Sequence, residues 1–284
     1  NRVNEVIIRP GGKGINVARV VHQIGQDVLT TGIIGGETGE AIINSLHKRD
    51  IKTDFVFSNY LTRQNTKIIE EASGKETEIN EPGRASLDDF KALEEKLKKY
   101  LYNDNIFVLA GSIPEGLSAN TYNNIVKLCK NYSIPVLIDT SGENLREVLK
   151  EEPFLIKPNL DEAEEIVGRK IDNKKDIKYT VDFFLDKGIE IVTISMGSQG
   201  AIFADVNNCF YSKTPQVNIS NTTVGAGDSM VAGLAVGLQN NHSLKEIAHY
   251  ASAVATTYVK MGKVELITAD EIKKIRSLIE VNTI

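Results

Sequence analysis

Thr223-Val224-Gly225-Ala226-Gly227-Asp228 is the segment of this chain best suited to chemistry. Its glycines let the backbone turn tightly with bare N–H groups, and Val231, Leu234, Ala235 and Leu238 then keep one face of a helix. N–H groups at a helix N-terminus cradle anions. Asp228 stands in the first turn, where its carboxylate could take a proton from an attacking hydroxyl while the amides hold a transferred phosphoryl group. An Asp at this position also simply complements the helix dipole. The segment alone leaves both readings open.

Four further segments carry suitable residues. Gly11-Gly12-Lys13-Gly14-Ile15-Asn16 precedes a helix; no Ser or Thr follows the Gly-Lys pair and no G-x-G-x-x-G spacing fits, which excludes a Walker A loop and a dinucleotide fingerprint. Close backbone approach with Asn16 suits sugar hydroxyls or a phosphate; a plain glycine turn is the alternative. Asn159-Leu160-Asp161-Glu162 opens a helix after a strand and could face a water-shelled Mg²⁺, or could be a capping box. Ser195-Met196-Gly197-Ser198-Gln199-Gly200 follows a buried-strand pattern, at the end of a strand where ligands collect in parallel sheets. Arg63, Asn65 and Lys67 alternate on one face of a predicted strand, suited to a phosphate or to solvent.

The elements that must hold these residues fall into two styles. From residue 105 onward, apolar strands (106–110, 135–138, 154–156, 189–195) alternate with amphipathic helices, one of them capped by Ser118, and three helices (228–239, 243–260, 269–281) close the chain. That alternation predicts an α/β fold with a parallel sheet under helices. The first third has a helix over 14–24, a strand over 28–34 and a helix over 39–48. Short polar strands at 55–57, 65–71 and 76–80 follow, the last two predicted as a hairpin turning at 72–75. With residues 6–9 they would form a small sheet, a lid of about 1–10 and 53–81 over a cleft in one large α/β body spanning 1–284.

Composition narrows the function. The 284 residues carry a net charge of −5 and no long basic run, which argues against nucleic acid as a partner. No apolar run reaches ~18 residues, so no transmembrane helix is expected. Cys129 and Cys209 have neither zinc spacing nor a disulfide framework, and His22, His47, His242 and His249 show no ligand spacing. Free thiols and the lack of a visible leader lead to a cytoplasmic expectation.

Taken in order, these segments together with Gly35-Gly36, Thr62-Arg63, Gly111-Ser112 and Lys157-Pro158-Asn159 resemble the ribokinase family of sugar kinases, in its phosphofructokinase B branch. The resemblance covers nearly the whole chain. It implies a three-layer α/β/α sandwich with a mostly parallel central sheet and a small β lid. It implies Asp228 as catalytic base, with Gly225, Ala226 and Gly227 as the anion hole. Lys157, Asn159, Glu162, Ser195, Gly197, Gly200 and Thr223 would serve ATP and its Mg²⁺, with Glu162 reaching the metal through water. Gly11, Gly12, Lys13, Gly14, Asn16, Gly111 and Ser112 would line the sugar pocket, and Arg63, Asn65 and Lys67 would meet the sugar's own phosphate. The lid would mediate a homodimer.

The resemblance also implies the acceptor: a phosphorylated ketohexose, fructose 1-phosphate first, with fructose 6-phosphate and tagatose 6-phosphate as alternatives. A non-catalytic sensor of nucleotide or sugar phosphate on the same fold is the reading of another class. The family pattern opens with a strand carrying Asn-Pro and a sugar-binding Asp, which this sequence lacks; the expectation is that the sequence is incomplete there.

Overall fold

The computed structural model describes residues 3–70, 76–102, 104–219 and 223–284. The chain divides into two compact units. The larger comprises Gly12–Val28, Tyr100–Ser112 and Ala119–Ile284; the smaller comprises Asn1–Gly11, Leu29–Lys99 and Ile113–Ser118.

A seven-stranded sheet organises the larger unit, in the spatial order Phe107–Ala110, Val136–Asp139, Leu155–Ile156, Ile191–Ser195, Ala201–Ala204, Cys209–Lys213 and Glu280–Thr283. The first four strands pair in parallel and the last three pairings are antiparallel, so five of the seven strands share one direction. Leu137, Ile138, Leu155, Ile156 and Val192 are fully buried, as a sheet covered by helices requires. The helices Ala226–Gln239 and Leu244–Met261 pack so closely that a Cβ at Gly233 would stand 2.6 Å from the Ala251 Cα. Val231, Leu234, Ala251, Val254 and Phe203 share the core there.

The smaller unit holds the helices Gly36–His47 and Leu87–Leu97, the latter started by a reciprocal Ser86–Asp89 capping box. Its hairpin, Asn65–Ile69 against Glu76–Asn80, is antiparallel as expected; the turn predicted at 72–75 lies outside the described residues.

Several expectations need correction. The strand predicted over 28–34 is two short ones, Leu29–Thr30 and Ile33–Ile34, because the chain kinks at Thr31 and Gly32, where the Thr31 hydroxyl donates to the Asp54 carbonyl at 2.7 Å. Residues 6–9 form no strand, and the hairpin stays two-stranded among the described residues. The N-cap of the helix expected after Ser118 is Asn120, and the helix runs Thr121–Lys130. The last helix ends at Arg276 rather than 281, and Glu280–Thr283 completes the sheet beside Cys209–Lys213. Helical periodicity runs on through Leu278 and Ile279, but pairing the open backbone groups of an edge strand outweighs it.

Candidate active site

The carboxyl ends of the four parallel strands bring the functional side chains together. Phe107–Ala110 leads into Gly111, Val136–Asp139 ends on Asp139, Leu155–Ile156 runs into Lys157, and Ile191–Ser195 ends on Ser195. The adjoining backbones are tied in register: Gly111 N donates to the Asp139 carbonyl at 3.0 Å, and Lys157 N to the Ile138 carbonyl at 3.0 Å. Ser195 N donates to the Pro158 carbonyl at 3.0 Å, setting Ser195 beside Asn159.

Asp228 sits in the first turn of Ala226–Gln239 and is 7% exposed. Asn16, one turn into the helix Lys13–Gln23, donates from Nδ2 to Asp228 Oδ2 at 2.8 Å. Burial lifts the Asp228 carboxyl above its usual range; the Asn16 bond pulls it down, Asp139 pushes it up, and Lys13 and Lys157 pull it down. A buried carboxylate kept from its ordinary acidity is suited to accept a proton.

Beside it lies a second carboxylate. Asp139 is 1% exposed, and its Oδ1 takes Lys13 Nζ at 3.2 Å and Lys157 Nζ at 3.3 Å. Its Oδ2 is buried without a hydrogen-bond partner. The Lys157 side chain is 5% exposed and that of Lys13 39%. Lys157 Nζ also lies 3.7 Å from where a Cβ on Gly227 would stand, so its ammonium adjoins the glycine turn. Thr140 and Tyr122 close the floor by donating to the Gly111 carbonyl at 2.8 and 3.2 Å. Burial, with Asp139 adding to it, pushes the Tyr122 phenol up to about 12.

The glycine turn is held from below. Gly225 takes φ +96°, and a Cβ there would strike the Tyr258 hydroxyl at 2.7 Å. Within the turn, Ala226 N donates to the Thr223 carbonyl at 3.1 Å. The second glycine turn is as tightly determined: a Cβ on Gly200 would stand 2.0 Å from the Ser212 carbonyl oxygen. Asn159 and Glu162 form a complete capping box, each side chain accepting from the other's backbone N–H at 2.8 Å, so the bland reading of that segment is realised in the helix Leu160–Val167.

In the smaller unit, Asn65 and Lys67 lie on one face of the hairpin, where Lys67 Nζ is 3.8 Å from Glu78. Arg63 precedes the strand and is exposed, which corrects its expected place within it.

The profile of the pfkB family of carbohydrate kinases matches residues 1–266. The chain is 38% identical over 276 residues to a 1-phosphofructokinase of Borreliella burgdorferi, covering 96% of this chain and 88% of that one. The chain belongs to the pfkB family of carbohydrate kinases. A tagatose-6-phosphate kinase of Staphylococcus epidermidis is 35% identical over 286 residues, covering 99% of this chain and 91% of the relative. Phosphofructokinase-2 of Escherichia coli in complex with fructose-6-phosphate superposes with a TM-score of 0.87 at 29% identity, over 98% of this chain and 92% of that one.

The pfkB assignment makes the chain an enzyme with a ribokinase-like α/β fold, a kinase that draws its phosphoryl group from ATP. In this pfkB chain the expected residues Lys13, Asn16, Lys157 and Asp228 converge on one cluster. Asp139 is the residue that sequence reasoning passed over. Its signal was visible: an acidic residue ending an apolar parallel strand stands where ligands gather. Among the described residues no helix is long and apolar enough to cross a membrane.

Proposed function

We propose that this protein transfers the γ-phosphoryl group of ATP to a hydroxyl of a phosphorylated ketohexose, with fructose 1-phosphate as the preferred acceptor. The observation that carries this reading is Asp228, buried, lifted in pKa and held by Asn16 at the mouth of a glycine turn. The acceptor class is supported by relatives named 1-phosphofructokinase and tagatose-6-phosphate kinase. Arg63, Asn65 and Lys67 have the side-chain chemistry that would hold a phosphate.

In the reaction, Asp228 takes the proton of the attacking hydroxyl and Asn16 keeps its carboxylate oriented. Backbone N–H groups of residues 225–227 and the Lys157 ammonium face the negative charge of the transferred group. Gly12, Gly14 and Ser112 line the sugar side; Thr223, Ser195, Gly197 and Gly200 line the nucleotide side.

A divalent cation fits as a partner of the phosphates. Among the described residues no cluster of three or more His, Cys, Asp or Glu side chains could cage a metal alone. Mg²⁺ keeps several waters and needs only one or two carboxylates beside substrate phosphates. Asp139, with its unpartnered buried Oδ2, and Glu162, acting through water, are the residues that would hold it. When bound, Mg²⁺ neutralises charge that develops on the phosphoryl oxygens.

The hairpin suits a homodimer. Ile68 and Ile79 lie on the face opposite Asn65 and Lys67, and both are exposed. An apolar strand face open to water is a surface for a second copy. The soluble character of the composition supports a cytoplasmic setting.

The test is ATP-to-ADP turnover with Mg²⁺ and, separately, fructose 1-phosphate, fructose 6-phosphate, tagatose 6-phosphate and free fructose. The expected result is the highest kcat/KM with fructose 1-phosphate. A preference for free fructose, or no sugar-dependent turnover in folded protein, overturns the reading.

A further inference from the structure

Tyr258 lies on the long helix Leu244–Met261, 30 positions after Asp228 in the chain, and none of the roles above involves it. Two contacts bring it under the glycine turn. Its hydroxyl donates to the Val224 carbonyl at 2.8 Å. Its ring occupies the space that a side chain on Gly225 would need, with Oη, Cζ and Cε1 at 2.7, 2.9 and 3.2 Å from the Cβ position.

The first contact has a consequence for the amide. The Val224–Gly225 peptide is trans, as all the described peptide bonds are. In a planar trans peptide the C=O and the N–H point to opposite sides. A hydroxyl that holds the Val224 carbonyl toward Tyr258 therefore aims the Gly225 N–H away from Tyr258. The second contact leaves no room for a side chain at Gly225, whose φ of +96° is a conformation open to glycine and rare for other residues. On the far side of Gly225, its own carbonyl is held by both the Ser229 N–H at 2.9 Å and the Ser229 hydroxyl at 2.8 Å. The two peptide planes flanking Gly225 are thus tied by groups that lie outside the turn.

We infer that Tyr258 is a positioning residue for phosphoryl transfer: it presets the direction of the Gly225 N–H, so that the amide is aligned before the phosphoryl group arrives. This rests on the proposed role of the glycine turn as an anion hole. Donors fixed in advance stabilise charge without a reorganisation cost at the moment of reaction. Tyr258 touches neither reacting group, so its effect belongs in the chemical step and not in sugar binding.

Tyr258→Phe tests this, because it deletes one oxygen and keeps the ring against Gly225. Two readouts are needed. In ligand-free protein, amide hydrogen exchange at residues 224–227 is expected to accelerate by tenfold or more, about the loss of one well-made hydrogen bond, while protection within Leu244–Met261 stays as in the wild type. Unchanged exchange in the turn overturns the proposal whatever the enzyme's substrate. In turnover with ATP and the preferred sugar phosphate, kcat is expected to fall by about one to two orders of magnitude, less than the roughly 10²- to 10³-fold loss when an anion-hole donor is removed outright, with KM for the sugar within about twofold. A kcat equal to the wild type, or a loss confined to sugar KM, also overturns it. If the wild type turns over none of the sugar phosphates, the functional reading fails, and the exchange experiment still decides the role of Tyr258.

Discussion

Asn16 Nδ2 donates to Asp228 Oδ2 at 2.8 Å, joining the first turns of two helices that lie 212 residues apart in the chain. The bond keeps one carboxylate oxygen occupied and directed. It also works against burial, which lifts the carboxyl above its ordinary range. Replacing Asp228 by Asn keeps the shape and removes the base. The expected loss in kcat is about 10³-fold, within the range for general-base catalysis, with KM for the sugar changed by less than a few-fold. Steady-state kinetics in both substrates checks this; a near-normal kcat would remove Asp228 from its role.

The same carboxylate has a stability signature. Its folded pKa is raised, so its contribution to stability is fully present below the unfolded carboxylate pKa and is lost as pH rises through the folded value. At neutral pH the ionised group therefore costs stability. Asp228→Asn is expected to melt higher than wild type at neutral pH, with the gap closing on acidification. Calorimetry at a series of pH values reads it.

Asp139 is one of the charges that raise Asp228. In Asp139→Asn the acid limb of the kcat/KM–pH profile is expected to move to lower pH. The variant also leaves Lys157 buried with its charge partner gone, a change that costs about 3–5 kcal/mol when a buried pair is broken. Denaturant unfolding and a pH–rate profile measure the two effects separately; an unmoved limb would deny the coupling.

Two glycines in the turn of residues 197–200 are expected to differ sharply. Gly200 has φ +103° and no room for a Cβ, so Gly200→Ala should cost about 3 kcal/mol or more. Gly197 has φ +57° with open space around it, so Gly197→Ala should cost only about 1–2 kcal/mol, the left-handed backbone penalty alone. Equal midpoints in urea would contradict the packing described for Ser212.

If the hairpin face of Ile68 and Ile79 seats a second copy, the double variant Ile68→Asp, Ile79→Asp is expected to sediment as a monomer where the wild type sediments as a dimer. Melting of the monomer should depend less on protein concentration than that of the wild type.

What the sequence by itself determined was local. The capping box of Asn159 and Glu162, the first-turn place of Asp228 and the buried strand ending at Ser195 all follow from spacings of two to four residues, which backbone geometry alone converts into structure. The hairpin pairing of 65–69 with 76–80 was legible for the same reason. The ordered motifs also carried the family. Only the tertiary structure decided which distant groups meet. Asp139 gains its two lysines because neighbouring parallel strands end level with one another and the helix Lys13–Gln23 starts beside them. Tyr258 reaches Val224 because two helices approach at Gly233. The chain closes in a strand at 280–283, despite its helical period, because an open sheet edge lay beside it. Such contacts are set by packing and sheet register, which sum over the whole fold and leave no mark within any one segment.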